Sequence, residues 1–397
     1  MNAQDRIAAI GLDPSFGEGG ILNFELPGRS YRATIRVTPS KKIVALGMIP
    51  EDDHTVVLAR FEQNGSLDRS FGQEGVATVE LSPELIYQAD DCVVLSDERV
   101  VFVGTRSLPG YMPQDYFFTC VKADGTLDTD FGNGGTTVVA PFGRHFHVYG
   151  ALPHIDGKIL AFFEGFYMPE GDRANAFVRL DPSGQFDPSF GTQGVLFLQR
   201  GTRSFNPVAR PDGRLLLSSS VNSVSVVRGF DAAGQPDLSF GEDGIAQLPL
   251  LSGATLATEE LALQDDGRIV VRGVLNEGSG NPQTYLIRLR PDGKPDPTFN
   301  RGELLVLPRI GARGVVVEPA DRVLALERDY STSTVQLRSL MSTGFEEGLF
   351  QLPLPGPVYH YPEELLLAHL PGTVLVSANV TDTETQVTRL TISRLLI

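Results

Sequence analysis

Apolar residues come in short alternating runs, four to a group, along nearly the whole chain. In the first complete group the runs are YRATIRVTP (31–39), KKIVALGM (41–48), TVVLARFEQ (55–63) and GVATVEL (75–81). Each is rich in Val, Ile, Leu, Thr and Phe, and its period of two is that of a strand with one face buried. Five more groups follow at 87–140, 147–199, 204–249, 258–307 and 312–352. No stretch has the length and 3.6-residue period of an amphipathic helix. The pattern predicts an all-β chain.

Turns of two kinds punctuate the runs. Pro211-Asp212-Gly213, Asp265-Asp266-Gly267 and Asp156-Gly157 lie between first and second runs; Asn64-Gly65, Asp124-Gly125, Ser183-Gly184 and Asp292-Gly293 follow third runs. Each places a residue that tolerates turn geometry before a glycine that supplies positive φ. After the second kind of turn comes a motif, written LDPSFGEGG (12–20), LDRSFGQEG (67–75), LDTDFGNGG (127–135), FDPSFGTQG (186–194), PDLSFGEDG (236–244) and PDPTFNRGE (295–303). A worn seventh copy reads GFEEG (344–348), so the motif phenylalanines are Phe16, Phe71, Phe131, Phe190, Phe240, Phe299 and Phe345. The motif aspartates (Asp13, Asp68, Asp128, Asp187, Asp237, Asp296) read as turn devices that cap backbone N–H groups, while the rings fill the gaps between units.

Four antiparallel strands per unit, repeated around a ring, describe a β-propeller. The end of the chain supplies only three further runs, 364–370, 373–378 and 386–395, whereas GILNFEL (20–26) follows the first motif as every fourth run does. Strand 20–26 is therefore expected to complete blade 7 as its outer strand. Residues 1–397 then form a single seven-bladed domain whose last blade is shared between 20–26 and 364–395, with 1–10 as a cap or frayed end. Such sharing leaves no unpaired gap where the ring closes.

The runs LALQDDGRIVVRG (261–273), TYLIRLRPDGKPDPTFN (284–300) and TVVLARFEQNGSLDRSFG (55–72) resemble the bacterial delta-60 repeat family of β-propellers, over essentially the whole chain. There is a looser likeness to NHL-type propellers. The resemblance implies the fold; the family carries no shared activity from which a function would follow.

Charge and cysteine content narrow the function classes. Acidic residues outnumber basic ones by 49 to 33, giving a net charge of −16. This argues against nucleic-acid partners, which are held by releasing counterions with Lys and Arg. No window reaches the roughly 18 apolar residues of a membrane helix, so no membrane insertion is expected. MNAQDRIAAIGLDPS has no basic region followed by an apolar run, which predicts a cytoplasmic location, with export by a route other than Sec as the alternative. Cys92 and Cys120, the two cysteines, fall on the first and third strands of one blade and are expected as unpaired, buried thiols.

With strands lettered A (innermost) to D, propellers bind where the D→A and B→C loops converge on the channel. Aligned on their turns, the A strands bring one column, Ala33, Asp90, Tyr149, Phe205, Glu259, Arg313 and Glu364, to the mouth. The next column is Thr34, Asp91, Gly150, Asn206, Glu260, Gly314 and Leu365. Arg32 and His147 join them from the same loops. Carboxylates with an Asn could hold a hard cation such as Ca²⁺ in the channel, or hydrogen-bond a polar ligand. Aromatic rings with Arg and His suit sugars or carboxylate-bearing ligands. His145-x-His147 has a spacing zinc could use, without a third ligand. Two longer B→C loops carry Tyr111, Met112, Tyr167 and Met168, which look like partner contacts. No nucleophile elbow, phosphate-binding glycine loop or Ser/His triad is present, so no catalytic residue is named. The reading is a non-catalytic binding module that engages a protein partner or a small polar ligand such as a carbohydrate at the channel mouth. The alternative is a propeller hydrolase or lyase with a divalent cation in the channel. The sequence names neither the ligand nor the oligomeric state.

Overall fold

The computed structural model describes residues 10–25, 34–49, 53–111, 115–140, 144–166, 173–198, 203–221, 224–249, 255–276, 282–307, 314–318, 321–329, 334–352, 366–370, 372–381 and 388–397. They form seven antiparallel sheets of the expected kind. Blade 1 consists of Thr34–Val37, Ile43–Met48, Thr55–Phe61 and Val76–Glu80 as strands A to D. Blades 2 to 6 repeat this order, their A strands being Ile86–Val94, Arg144–Pro153, Arg203–Ala209, Thr255–Leu263 and Val315–Val317. Blade 7 takes Leu366–Leu370, Thr373–Thr381 and Thr388–Leu396 from the end of the chain. Ile21–Phe24 pairs with the last of these as its outer strand, so the predicted clasp is present. A short strand that the sequence pattern did not announce, Gly11–Leu12, pairs further along the same edge. Residues 1–9, where a cap or frayed end was expected, lie outside the described residues.

Neighbouring A strands touch in a closed circle, blade 1 to blade 7 and back to blade 1. The core follows from that arrangement. One apolar cluster lies at each blade junction, built from the alternate residues that successive sheets turn toward each other. Cys92 and Cys120 are free and buried within these clusters, and burial pushes both thiols up to about 12.

The motif closes the junctions. The residue after each motif phenylalanine donates its backbone N–H to a carbonyl in the C–D turn of the next blade. The pairs are Gly17 to Asn64, Gly72 to Asp124, Gly132 to Ser183, Gly191 to Ala233, Gly241 to Asp292 and Asn300 to Thr343, each at 2.8 Å. The turn must carry glycine there: a Cβ on Gly125 would sit 2.6 Å from the Gly72 nitrogen, and its φ of 90° favours glycine anyway. All six rings from Phe16 to Phe299 are fully buried. Four of the six are covered by a strand C arginine. Arg60, Arg179, Arg288 and Arg394 stack over Phe71, Phe190, Phe299 and Phe16 at 4.4–5.2 Å, and each pairs with the motif aspartate at 2.5–2.8 Å. The other carboxylate oxygen of Asp13, Asp68, Asp187, Asp237 and Asp296 accepts from the backbone and hydroxyl of the Ser or Thr two residues on, at 2.6–3.1 Å. The aspartates are thus turn devices, as read from the sequence. They are also one half of a buried ion pair, which the sequence reading missed.

Blades 2 and 4 have Cys120 and Gly229 where the strand C arginine should be. There the aspartate relies on the A–B turn cation, at the position that carries Lys42, Lys158 and Arg268 beside Asp68, Asp187 and Asp296 in blades 1, 3 and 5. Arg99 reaches Asp128 (3.1 Å) and the Pro182 carbonyl (3.0 Å). Arg214 reaches Asp237 (3.3 Å), while Arg210 stacks on Phe240 and donates to the Pro291 carbonyl.

The worn seventh copy is not a copy. The Met341 N–H bonds the Phe345 carbonyl at 2.8 Å to close the turn, and strand D, Glu346–Gln351, begins at once. Phe345 is 73% exposed. The reason is topological: strands C and D of blade 7 come from opposite ends of the sequence, so no C–D turn exists there for a blade 6 motif to dock against.

Two predictions follow from the junctions. Phe190→Ala should cost about 3–5 kcal/mol, because it empties a sealed site. Phe345→Ala should stay within about 0.5 kcal/mol, because its ring is already in water. Urea denaturation of both variants separates the buried copies from the false one. The second concerns Asp187. Burial alone would raise its carboxyl, but hydrogen bonds from Lys158 and Ser189 and the Arg179 charge outweigh that and hold it well below the ordinary carboxylate range. A folded pKa below the unfolded one stabilises fully above about pH 4, and the contribution fades as pH falls toward the folded value. Asp187→Asn should therefore lower the urea midpoint at pH 7, and the gap to wild type should begin to narrow below about pH 4 and shrink further as pH falls toward the folded value.

Candidate functional site

At the other end of the blades, the A strands break their ladders. In blade 2, Ala89 pairs with Gly104 and Asp91 with Val103, which leaves Asp90 as an inserted residue. Blade 3 inserts Tyr149 between the Val148–Phe163 and Gly150–Phe162 pairs. Blade 5 inserts Glu259 between Thr258–Gly273 and Glu260–Arg272. Blade 4 inserts Asn206 one residue nearer the A–B turn, beside Pro207, which has no N–H to give strand B. Four successive blades therefore carry a bulge at about one level, and a bulge re-aims the side chain it inserts. The strand B glycines in blades 2 and 5 make room for it. A Cβ on Gly104 or Gly273 would meet the Gln88 or Ala257 carbonyl oxygen at 1.8 or 2.2 Å.

One residue further along, two carboxylates bind neighbouring blades together. Asp91 is buried: one oxygen accepts from Arg36 of blade 1 and from the Cys92 N–H, and the other from the Ala151 N–H of blade 3 at 2.9 Å. Burial alone would lower the Arg36 pKa, and the Asp91 charge instead holds it above its ordinary value. The two oxygens of Glu260 accept the Gly314 and Val315 N–H groups of blade 6 at 3.0 and 3.2 Å. These two carboxylates span blades 1 to 3 and 5 to 6.

The bulge residues differ. Asp90 is half-buried and accepts from Gln88 Nε2 at 2.7 Å. Glu259, also half-buried, accepts from Nη1 of the fully buried Arg272 at 3.0 Å. Tyr149 is half-buried with its ring 6.1 Å from that of Phe162. His147 and Asn206 lie on described strands, and their side chains are outside the described part. Arg32, Arg313, Glu364, Met112, Tyr167 and Met168 are outside the described residues altogether. Tyr111 stands 66% exposed at the tip of the blade 2 B–C loop, near Leu108. Among the described residues no three His, Cys, Asp or Glu side chains are grouped to hold a metal ion. Sequence reasoning missed Arg36 and Arg272 as partners of these carboxylates. The one signal for the bulges was the pair of strand B glycines.

A family model described as a domain of unknown function (DUF5122) beta-propeller matches residues 156–190 and 264–299. Each match runs from an A–B turn to a motif phenylalanine, Phe190 or Phe299. No curated protein matches the chain. Among solved structures, the polysaccharide lyase Uly1 aligns at 8% identity and a TM-score of 0.55, over 99% of this chain and 94% of that one. Virginiamycin B lyase from Staphylococcus aureus aligns at 10% and 0.50, over 95% and 99%. A protein of unknown function from Dyadobacter fermentans aligns at 12% and 0.47, over 95% and 99%. At these identities the likeness is one of fold. No helix among the described residues is long and apolar enough to cross a membrane.

The two carboxylate columns should separate on mutation. Asp91→Ala strands Arg36 and the Ala151 N–H, and should cost about 2–4 kcal/mol. Asp90→Ala should cost less than about 1 kcal/mol. Equal midpoints for the two variants in thermal unfolding would show that Asp91 does not tie the blades.

Proposed function

We propose that the chain is a non-catalytic binding module and that the channel mouth is its binding face. The observation that carries this is the run of bulges in blades 2 to 5, which brings Asp90, Tyr149, Asn206 and Glu259 to one level of the A strands. Two carboxylates, an amide and a phenol form a set of acceptors and donors suited to the hydroxyls of a carbohydrate or to polar groups on a protein partner. Asp91 and Glu260 support the set from beneath by fixing neighbouring A strands. Arg32, His147, Arg313 and Glu364 belong to the same face in this reading, and Tyr111, Met112, Tyr167 and Met168 form a second contact zone on the B–C loops. The reading further takes residues 1–397 as one domain, the repeats as members of the delta-60 family, and the location as cytoplasmic.

Glycan-array binding followed by calorimetry tests the proposal. Asp90→Ala and Asn206→Ala should each weaken binding at least about tenfold while leaving the melting midpoint within a degree or two. Binding that survives both substitutions would move the ligand off the mouth. A stoichiometric divalent cation in the purified protein, with loss of a cleaved polysaccharide's signal on chelation, would replace the binding module with a lyase or hydrolase.

A further inference from the structure

Arg228 in blade 4 and Arg338 in blade 6 occupy the same position of strand C. Arg228 pairs with Leu217 on strand B and Ile245 on strand D; Arg338 pairs with Ala325 and Leu349. Each lies six residues before its C–D turn glycine, Gly234 or Gly344. The surroundings of Arg338 show what a guanidinium at this place requires. Its Nε and Nη2 donate to the two oxygens of Glu327 at 2.6 and 3.0 Å, its Nη1 donates to Glu346, and both Arg338 and Glu327 are buried. This is the bidentate geometry in which arginine and carboxylate bind most strongly.

Blade 4 has the arginine without the acid. Strand B pairing places Ser219 where Glu327 stands in blade 6, two residues beyond the partner of the arginine. Among the described residues no carboxylate pairs with Arg228, and its Nη1 is shut off from solvent with no hydrogen-bond partner. The Phe230 ring lies 5.3 Å from the guanidinium. Phe230 and Leu217 both belong to the cluster between blades 3 and 4. Cross-strand partners point to one side of a sheet, so Arg228 and Ser219 face that junction too. Burial lowers the Arg228 pKa with nothing to offset it. An unpaired guanidinium in such a place is costly, and an incoming anion relieves the cost.

We propose that the blade 3–blade 4 junction holds a carboxylate-binding site, in which Arg228 takes the carboxylate of a small acid at the place Glu327 fills beside Arg338. The arginine is only partly exposed, which fits a small free acid better than a side chain on a folded partner. The site is separate from the channel mouth, since strand C is the third strand outward and Asp90, Tyr149, Asn206 and Glu259 lie on strand A.

Thermal unfolding in sodium acetate, against sodium chloride at matched ionic strength, tests it. Acetate should raise the wild-type midpoint by about 1–2 °C beyond the chloride control, as a ligand of the folded state does. Arg228→Met should abolish the acetate-specific rise. Ser219→Glu supplies the carboxylate from within and should also abolish it. A rise that persists in Arg228→Met, or no acetate-specific rise in wild type, overturns the proposal. If Ser219→Glu does not fold, the comparison of wild type with Arg228→Met decides alone.

Discussion

The propeller depends on one contact, the docking of a motif backbone N–H on the C–D turn of the next blade. Blades pack face to face through alternating Val, Leu, Ile and Phe, which resists separation but leaves their relative height and tilt open. The N–H to carbonyl bond at 2.8 Å fixes both, because an amide buried at that seam has no other acceptor. Phenylalanine, arginine and aspartate are fitted around it. The ring excludes water, the guanidinium covers the ring, and the carboxylate neutralises the guanidinium while holding the turn through its Ser or Thr neighbour. Removing the aspartate leaves the buried guanidinium without its counter-charge.

Ring closure uses the same part. Arg394 of the last strand pairs with Asp13, bonds Ser15, stacks on Phe16 and reaches the Gln63 carbonyl of blade 1. The clasp between the two ends of the sequence is an ordinary junction whose arginine and motif happen to lie at opposite ends. The one junction without the contact, between blades 6 and 7, is the one that lacks a C–D turn to receive it. In blade 6, Ser339 and Glu347 stand where the arginine and aspartate would be, and they hydrogen-bond each other at 2.8 Å, so the loop is shortened without leaving a buried charge unpaired.

The two ends of the blades do different work. At the motif end the aspartates, arginines and turn backbones hold neighbours together, and the turns repeat with little variation. At the other end, among the described residues, the A strands of blades 2 to 5 bulge, and the inserted residues differ from blade to blade: Asp90, Tyr149, Asn206, Glu259. Beside two of them, Asp91 and Glu260 stitch strand to strand across blades 1 to 3 and 5 to 6.

The sequence by itself determined the strands, the blade count and the shared last blade. Those follow from a period of two and from a motif whose spacing survives substitution, and both are local. It also determined that the motif aspartates are turn devices, since Asp followed by Ser or Thr two residues on is a local hydrogen-bonding unit. It misjudged Phe345, because a phenylalanine beside a glycine looks like a motif until one knows whether a neighbouring turn exists to receive it. It could place Asp91 and Glu260 on A strands but not tell that they bind the backbones of the next blades. Arg36 and Ala151 lie 55 and 60 residues from Asp91 in sequence, and only the packing of neighbouring blades brings them within hydrogen-bonding distance. The bulges, the reliance of Asp128 and Asp237 on A–B turn arginines, and the unmatched Arg228 were likewise decided by the tertiary structure. Each depends on which residue of another strand lies opposite, and no local pattern records that.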